Sequence, residues 1–117
     1  MFKFLRVGLW NANGLLQHKN ELIVFLNENK IDILLVSETH FTKYSNLFIP
    51  QYYIYHTCHP DGTAHGGSAV LIKSNISHYE LQKYDKEFLQ ATTIQVQLSS
   101  FPLTISAVYC PPRHKIS

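Results

Sequence analysis

Residues Asp32-Ile-Leu-Leu-Val36 form a short, nearly unbroken apolar run, and it limits the fold more than any other segment. A strand with one face in water alternates apolar and polar residues, whereas an unbroken run suits a strand buried on both faces, as in a parallel sheet covered by helices. Upstream, Phe4-Leu-Arg-Val-Gly-Leu-Trp10 mixes branched and aromatic residues and stops at the turn signal Asn11-Ala-Asn13-Gly14. Between these segments, from about Lys19 to Asn29, Leu22, Phe25 and Leu26 fall at helical spacing and leave Glu21, Asn27 and Glu28 for solvent. Strand, helix and apolar strand in that order predict a βαβ unit with a right-handed crossover.

Beyond this unit the chain reads as strands. Tyr52 to Thr57, Ser68 to Lys73, Ala91 to Leu98 and Leu103 to Tyr109 are rich in branched or aromatic residues. Ser99-Ser-Phe-Pro102 reads as the turn of a hairpin joining the last two. His59-Pro-Asp-Gly-Thr-Ala-His-Gly-Gly67 reads as a loop. The expectation is a mixed α/β domain with one early helix. So many strands beside one helix leave a sheet face uncovered, which layered architectures do not tolerate. The last residues, Cys110-Pro-Pro-Arg-His-Lys-Ile-Ser117, form a loop where another element is expected. The domain reads as truncated.

A length of 117 residues allows one small domain. Apolar residues at 45% and charged ones at 15% place it among globular chains. No segment approaches the roughly 20 apolar residues that span a bilayer, and the longest run, Ile31 to Val36, is broken by Asp32. Met1-Phe-Lys-Phe-Leu-Arg has no long apolar region or cleavage site behind it, so secretion is unsupported. Cys58 and Cys110 then read as free thiols in a reducing compartment. The expectation is an intracellular protein away from membranes. A net charge of +2 and a pI of 8.6 are compatible with nucleic acid but fall short of an electrostatic footprint.

In α/β sheets functional groups collect at the carboxyl ends of strands. Three polar residues sit at such ends: Asn11 after the first strand, Glu38 after the second and Tyr109 at the end of the last. A carboxylate there can hold Mg²⁺, a carboxamide can contact the metal shell or a phosphate oxygen, and a phenol can donate to a phosphate. Each also has an ordinary reading: Asn11 as a turn former, Glu38 as a solvated carboxylate, Tyr109 as a packed ring with a wet hydroxyl.

Four segments together go further. Leu9-Trp-Asn-Ala-Asn-Gly-Leu15, Asp32-Ile-Leu-Leu-Val-Ser-Glu-Thr-His40, His65-Gly-Gly-Ser-Ala-Val-Leu-Ile72 and Ile105-Ser-Ala-Val-Tyr-Cys-Pro-Pro112 occur in this order. The sequence resembles the endonuclease/exonuclease/phosphatase family, the DNase I-like fold, and within it the endonuclease domain of jockey-like non-LTR retrotransposons. The resemblance covers nearly the whole chain but only about the first half of the family's domain. It implies the N-terminal portion of a DNase I-like β-sandwich, with a mixed sheet covered by helices. It further implies Mg²⁺-dependent, or Mn²⁺-dependent, hydrolysis of DNA in an intact nuclear parent that also carries a reverse transcriptase domain.

Carried over by position, Asn11 orders the metal site and a phosphate oxygen, Glu38 binds the divalent metal, and Tyr109 contacts the scissile phosphate. His40 and Gly67 match positions common in the retrotransposon branch without an assigned chemical role. The family's Gly-Asp-x-Asn run and terminal Asp-His pair have no counterpart here. Asp61 and Asp85 lie on the wrong side of Tyr109, and His114 has no Asp before it. The resemblance therefore implies part of a catalytic site in a chain without robust activity.

Three other readings compete. His56-Thr-Cys58-His59 with His65 offers ligand chemistry for Zn²⁺, although Cys-His adjacency is not a usual ligand spacing. Lys43 with Tyr44, and Arg113 to Lys115, are the basic patches of a non-catalytic nucleic-acid-binding remnant. A remnant without function would expose core-facing residues of Ala91 to Leu98 and unpaired edges, and so be marginally stable and self-associating.

Overall fold

The computed structural model describes residues 4–111. β1 (Val7–Asn11) leads through a single 3-10 turn at Leu16–His18 into helix α1 (Lys19–Asn29), and β2 (Ile33–Ser37) returns parallel to β1. Leu22 and Leu26 point into the core, whereas Phe25 remains 41% exposed, so the buried stripe of α1 is narrower than the expected one. The helix stops at Lys30, whose left-handed backbone lets its N–H reach the Leu26 carbonyl.

β3 (Tyr52–Thr57) and β4 (Ser68–Lys73) complete a first sheet in the order β1-β2-β4-β3, with β4 antiparallel to both its neighbours. The second sheet is built on β7 (Leu89–Gln97), which pairs antiparallel with β5 (His78–Glu80), β6 (Tyr84–Lys86) and β8 (Pro102–Tyr109). The expected hairpin joins β7 to β8. Pro102 begins β8, a strand position where a missing N–H is tolerated. β5 and β6 were not foreseen: three-residue strands with no run of branched residues exist because β7 offers them an edge.

The apolar run in β2 is buried on both faces, but by unlike covers. Leu34 and Val36 pack with Leu22 and Leu26 of α1, while Ile33 and Leu35 face Ile94 and Val96 of the second sheet. A helix on one side and a sheet on the other replace the expected pair of helical layers, and among the described strands only β1 and β2 pair in parallel. The result is a mixed-sheet α/β sandwich. Each fully buried Leu or Ile stabilises it by about 1.5–3 kcal/mol relative to exposure.

A polar seam also crosses between the sheets. Thr57 Oγ1 lies 2.8 Å from Thr92 Oγ1, which lies 2.9 Å from Ser68 Oγ. Thr57 also donates to the Ala91 carbonyl at 3.1 Å. Among the described residues no buried side-chain polar atom lacks a partner, so the seam ties β3, β4 and β7 without an unpaired group.

The uncovered face that the strand count implied is the outer face of the second sheet. It is dressed in polar pairs: Thr93 with Ser106 at 2.7 Å and Thr104 with Gln95 at 3.3 Å. Ile94 and Val96 are fully buried, so the core-facing residues of this strand are not exposed as expected. Exposed apolar side chains occur instead at the first strand and in the loops, among them Leu9 of β1 at 80% and Phe48 at 70%. Leu9 sits on the same face as its paired neighbour Leu35 and lines a cleft of about 340 Å³ with Trp10, Asn11 and Val108.

Candidate active site

Parallel pairing sets β1 and β2 level, with Asn11 opposite Ser37 at their carboxyl ends. Asn11 is the last residue of β1, and Glu38 follows the last residue of β2. Asn11 Nδ2 donates to Glu38 Oε2 at 2.9 Å, joining the two strand ends through their side chains.

The backbone around Glu38 is held on both sides. Glu38 and His40 both have left-handed φ, at 56° and 57°, a conformation costing roughly 1–2 kcal/mol for an L-residue. Hydrogen bonds offset the cost. The Glu38 and Thr39 carbonyls accept from Gly14 and Leu15 N–H, each at 2.9 Å. On the other side Glu38 N–H donates to Gly67 O and His40 N–H to Gly66 O, again at 2.9 Å. Strained backbone fixed by its surroundings is a common property of functional sites.

Gly66 and Gly67, with φ of +60° and +89°, are needed for shape as well as conformation. A Cβ on Gly67 would lie 2.5 Å from Thr39 Oγ1; one on Gly66 would lie 2.7 Å from Gln90 Oε1 and 3.3 Å from the Tyr109 ring. Gln90 is fully buried. It accepts from Gly67 N–H at 2.9 Å and donates to the Lys86 carbonyl at 2.7 Å. It also faces Tyr109 across the β7–β8 pair. Gly66-Gly67 is thus the floor between Glu38 on the first sheet and Tyr109 on the second.

Burial pushes the Tyr109 phenol above its ordinary value, and the negative charges of Glu38 and Cys110 push it the same way. The phenol therefore stays a hydrogen-bond donor at neutral pH. The three residues singled out from the sequence share one rim: Asn11 bonded to Glu38, and Tyr109 within the field of the Glu38 carboxylate. His40 stands beside them, with Nε2 3.8 Å from Glu38 Oε1. Gln90, Gly66 and Thr39 escaped sequence reasoning. The available signal was a Gln at a core-facing position of an alternating strand, which a buried amide must justify by bonding.

The Asn11–Glu38 bond uses Nδ2 and Oε2, leaving the carboxamide Oδ1 and carboxylate Oε1 as hard oxygen donors. That set suits a divalent cation of the Mg²⁺ type, which takes one or two carboxylates and keeps several waters.

The proposed four-residue zinc set does not assemble. His56 Nδ1 lies 3.6 Å from Cys58 Sγ, and the His56 ring packs edge-on against Phe41 at 4.9 Å. His59 and His65 gather instead with Asp61. Burial lowers the His56 imidazole below its usual value and raises the Cys58 thiol, so neither favours its charged form. Of the basic patches, Lys43 Nζ lies 5.2 Å from the Tyr44 ring centre. Arg113 to Lys115 lie outside the described residues, as does His114.

A two-sheet α/β sandwich with a carboxamide–carboxylate pair at its rim defines a protein of the DNase I-like fold. Solved structures agree. The catalytic domain of Xenopus laevis APE2 superposes with a TM-score of 0.64 at 17% identity, over 91% of this chain and 45% of that one. An AP endonuclease from Archaeoglobus fulgidus gives 0.55 at 18% identity, over 86% and 40%. Residues 8–115 match the endonuclease/exonuclease/phosphatase family, and the chain belongs to it. It is 40% identical over 111 residues to the RNA-directed DNA polymerase from mobile element jockey of Drosophila melanogaster. With the polymerase of the same name from Drosophila funebris it shares 37%. The chain spans 12% of the length of each of these two relatives. DNase I-like proteins are generally metal-dependent. No helix among the described residues is long and apolar enough to cross a membrane.

Proposed function

We propose that these residues are part of the endonuclease domain of a jockey-like non-LTR retrotransposon protein. Its reaction is hydrolysis of a DNA phosphodiester, nicking one strand to leave a 3′-hydroxyl that primes reverse transcription. The observation that carries this reading is the Asn11–Glu38 bond at the sheet rim, with Tyr109 under the charge of the same carboxylate. The relatives named as RNA-directed DNA polymerases support a reverse transcriptase domain in the same polypeptide, and priming on target DNA would take place in the nucleus.

Glu38 is the anionic ligand for Mg²⁺, with Mn²⁺ as a substitute, and Asn11 holds its carboxylate in place. The cation, when bound, neutralises charge developing on the phosphate. Tyr109, kept protonated, donates its O–H to a phosphate oxygen and orients the ester. No Gly-Asp-x-Asn run or Asp-His pair occurs in the sequence to hold or activate the attacking water. The 117 residues alone therefore lack robust cleavage, and the non-catalytic remnant is the companion reading for the isolated chain.

The test is plasmid nicking by a parent polypeptide containing the whole domain. Glu38→Ala should abolish Mg²⁺-dependent nicking and Tyr109→Phe should impair it. Nicking by Glu38→Ala at the wild-type rate would remove the basis for the reading.

A further inference from the structure

The loop between β3 and β4 carries a cluster that the nuclease reading does not use. Ligand atoms of His59, Asp61 and His65 all lie within 4.8 Å of one another. His59 Nδ1 is 3.2 Å from Asp61 Oδ1, and His65 Nε2 is 2.8 Å from Asp61 Oδ2. The two imidazole ring centres are 4.0 Å apart, with the ring planes tilted by 31°. The turn around Gly62, where φ is +77°, folds the segment back so that positions six apart in sequence meet.

We propose that His59, Asp61 and His65 form a binding site for a divalent transition-metal ion, of which Zn²⁺ is the natural representative. Two imidazole nitrogens and one carboxylate oxygen are the donor set borderline-soft ions prefer, and Mg²⁺ does not. Three protein ligands leave a fourth position for water. The site is braced before any ion arrives: Asp61 Oδ1 accepts from Thr63 N–H at 2.8 Å and from Thr63 Oγ1 at 2.9 Å. Outer bonds of this kind orient ligands and raise affinity. Coordination needs a lone pair from each imidazole. His59 Nδ1 gives up the Asp61 N–H it accepts at 3.2 Å. At His65 the ring proton moves from Nε2 to Nδ1, so the His65–Asp61 hydrogen bond gives way to a shared cation. His65 directly precedes Gly66-Gly67, so an ion here stiffens the segment that holds Glu38 and His40.

Isothermal titration of the metal-free 117-residue chain with Zn²⁺ tests the site, with Co²⁺ absorption reporting geometry. One equivalent should bind, with tetrahedral Co²⁺ bands in the visible. His65→Ala, at an exposed position, and Asp61→Asn should each weaken binding at least tenfold while far-UV circular dichroism is unchanged. Cys58→Ser should bind as the wild type does. The assignment is overturned by an absence of stoichiometric binding, by binding indifferent to His65→Ala, or by binding lost with Cys58→Ser. Zinc lost on Glu38→Ala but retained in His65→Ala would place the ion at the rim and overturn it too.

Discussion

Asn11 and Glu38, 27 residues apart in sequence, are joined by a 2.9 Å hydrogen bond from carboxamide to carboxylate. Parallel pairing of β1 and β2 makes that possible, because both strands end at the same rim. The bond fixes which carboxylate oxygen faces outward. Asn11→Ala removes the donor and frees the Glu38 side chain to rotate. In a parent with the complete domain, nicking should fall about 10- to 100-fold, the usual loss when a residue orienting a metal ligand is removed. The apparent requirement for Mg²⁺ should rise with it. An Asn11→Ala enzyme with unchanged metal dependence would show that Glu38 is oriented by something else.

Gly67→Ala should destabilise the fold without touching any charged group. Its φ of +89° disfavours an L-residue, and the added methyl would meet Thr39 Oγ1 at 2.5 Å. Relief requires moving either β2's end or the loop, at about 1–3 kcal/mol. Urea unfolding followed by circular dichroism should show a lower midpoint at constant slope. A midpoint equal to the wild type's would mean that the loop yields freely and is not what holds Glu38.

How much of this was legible beforehand depends on where each structure's cause lies. The bounds of β3, β4 and α1 follow from local patterns, and structure matches them to the residue. The two-sided burial of β2 was also local, written in Ile33, Leu34 and Val36. What covers its second face was not, because a strand records that it is buried without recording by what. β5 and β6 owe their pairing to β7 rather than to their own residues. At the rim, Asn11, Glu38 and Tyr109 were named from motifs, whereas Gln90 and Gly66 act through contacts made only once both sheets have met.

Thr92→Val tests the seam between the sheets. The substitution keeps the shape and removes the hydroxyl that meets Thr57 and Ser68. Thr57 retains the Ala91 carbonyl, but Ser68 Oγ loses the partner it has at 2.9 Å. Leaving a buried hydroxyl unpaired costs about 1–3 kcal/mol. Adding Ser68→Ala should recover part of that loss, since no orphan then remains. If the double variant is as unstable as the sum of the two single ones, the hydroxyls act independently and the seam is not a network.

The edge at β1 should make the isolated 117-residue chain associate. Leu9 is 80% exposed at the mouth of the cleft between the sheets, on a strand that among the described residues pairs along one edge. Exposed edges carrying apolar residues template pairing, and a charge there discourages it. Light scattering behind size exclusion should show a mass that rises with loading concentration, and Leu9→Lys should suppress the rise. A monomer at every concentration would count against an open edge in solution.

Acid sensitivity should trace first to His56. Burial lowers its imidazole below the ordinary value of 6.5; Lys83 lowers it further, while Glu80 acts in the opposite sense. As pH falls, the unfolded chain takes up this proton before the folded one does. The contribution of neutral His56 is therefore present above pH 6.5 and is lost as pH drops from there through the folded-state value. Asp61, held low, would lose its contribution only below its ordinary 3.8, so the two windows are separate. Urea midpoints should be level from pH 8 to 7 and decline as the pH falls below about 6.5. His56→Gln keeps a polar side chain against Phe41 but cannot titrate, so its midpoints should stay flat across that window. A decline of equal size in His56→Gln would assign the acid response to another group.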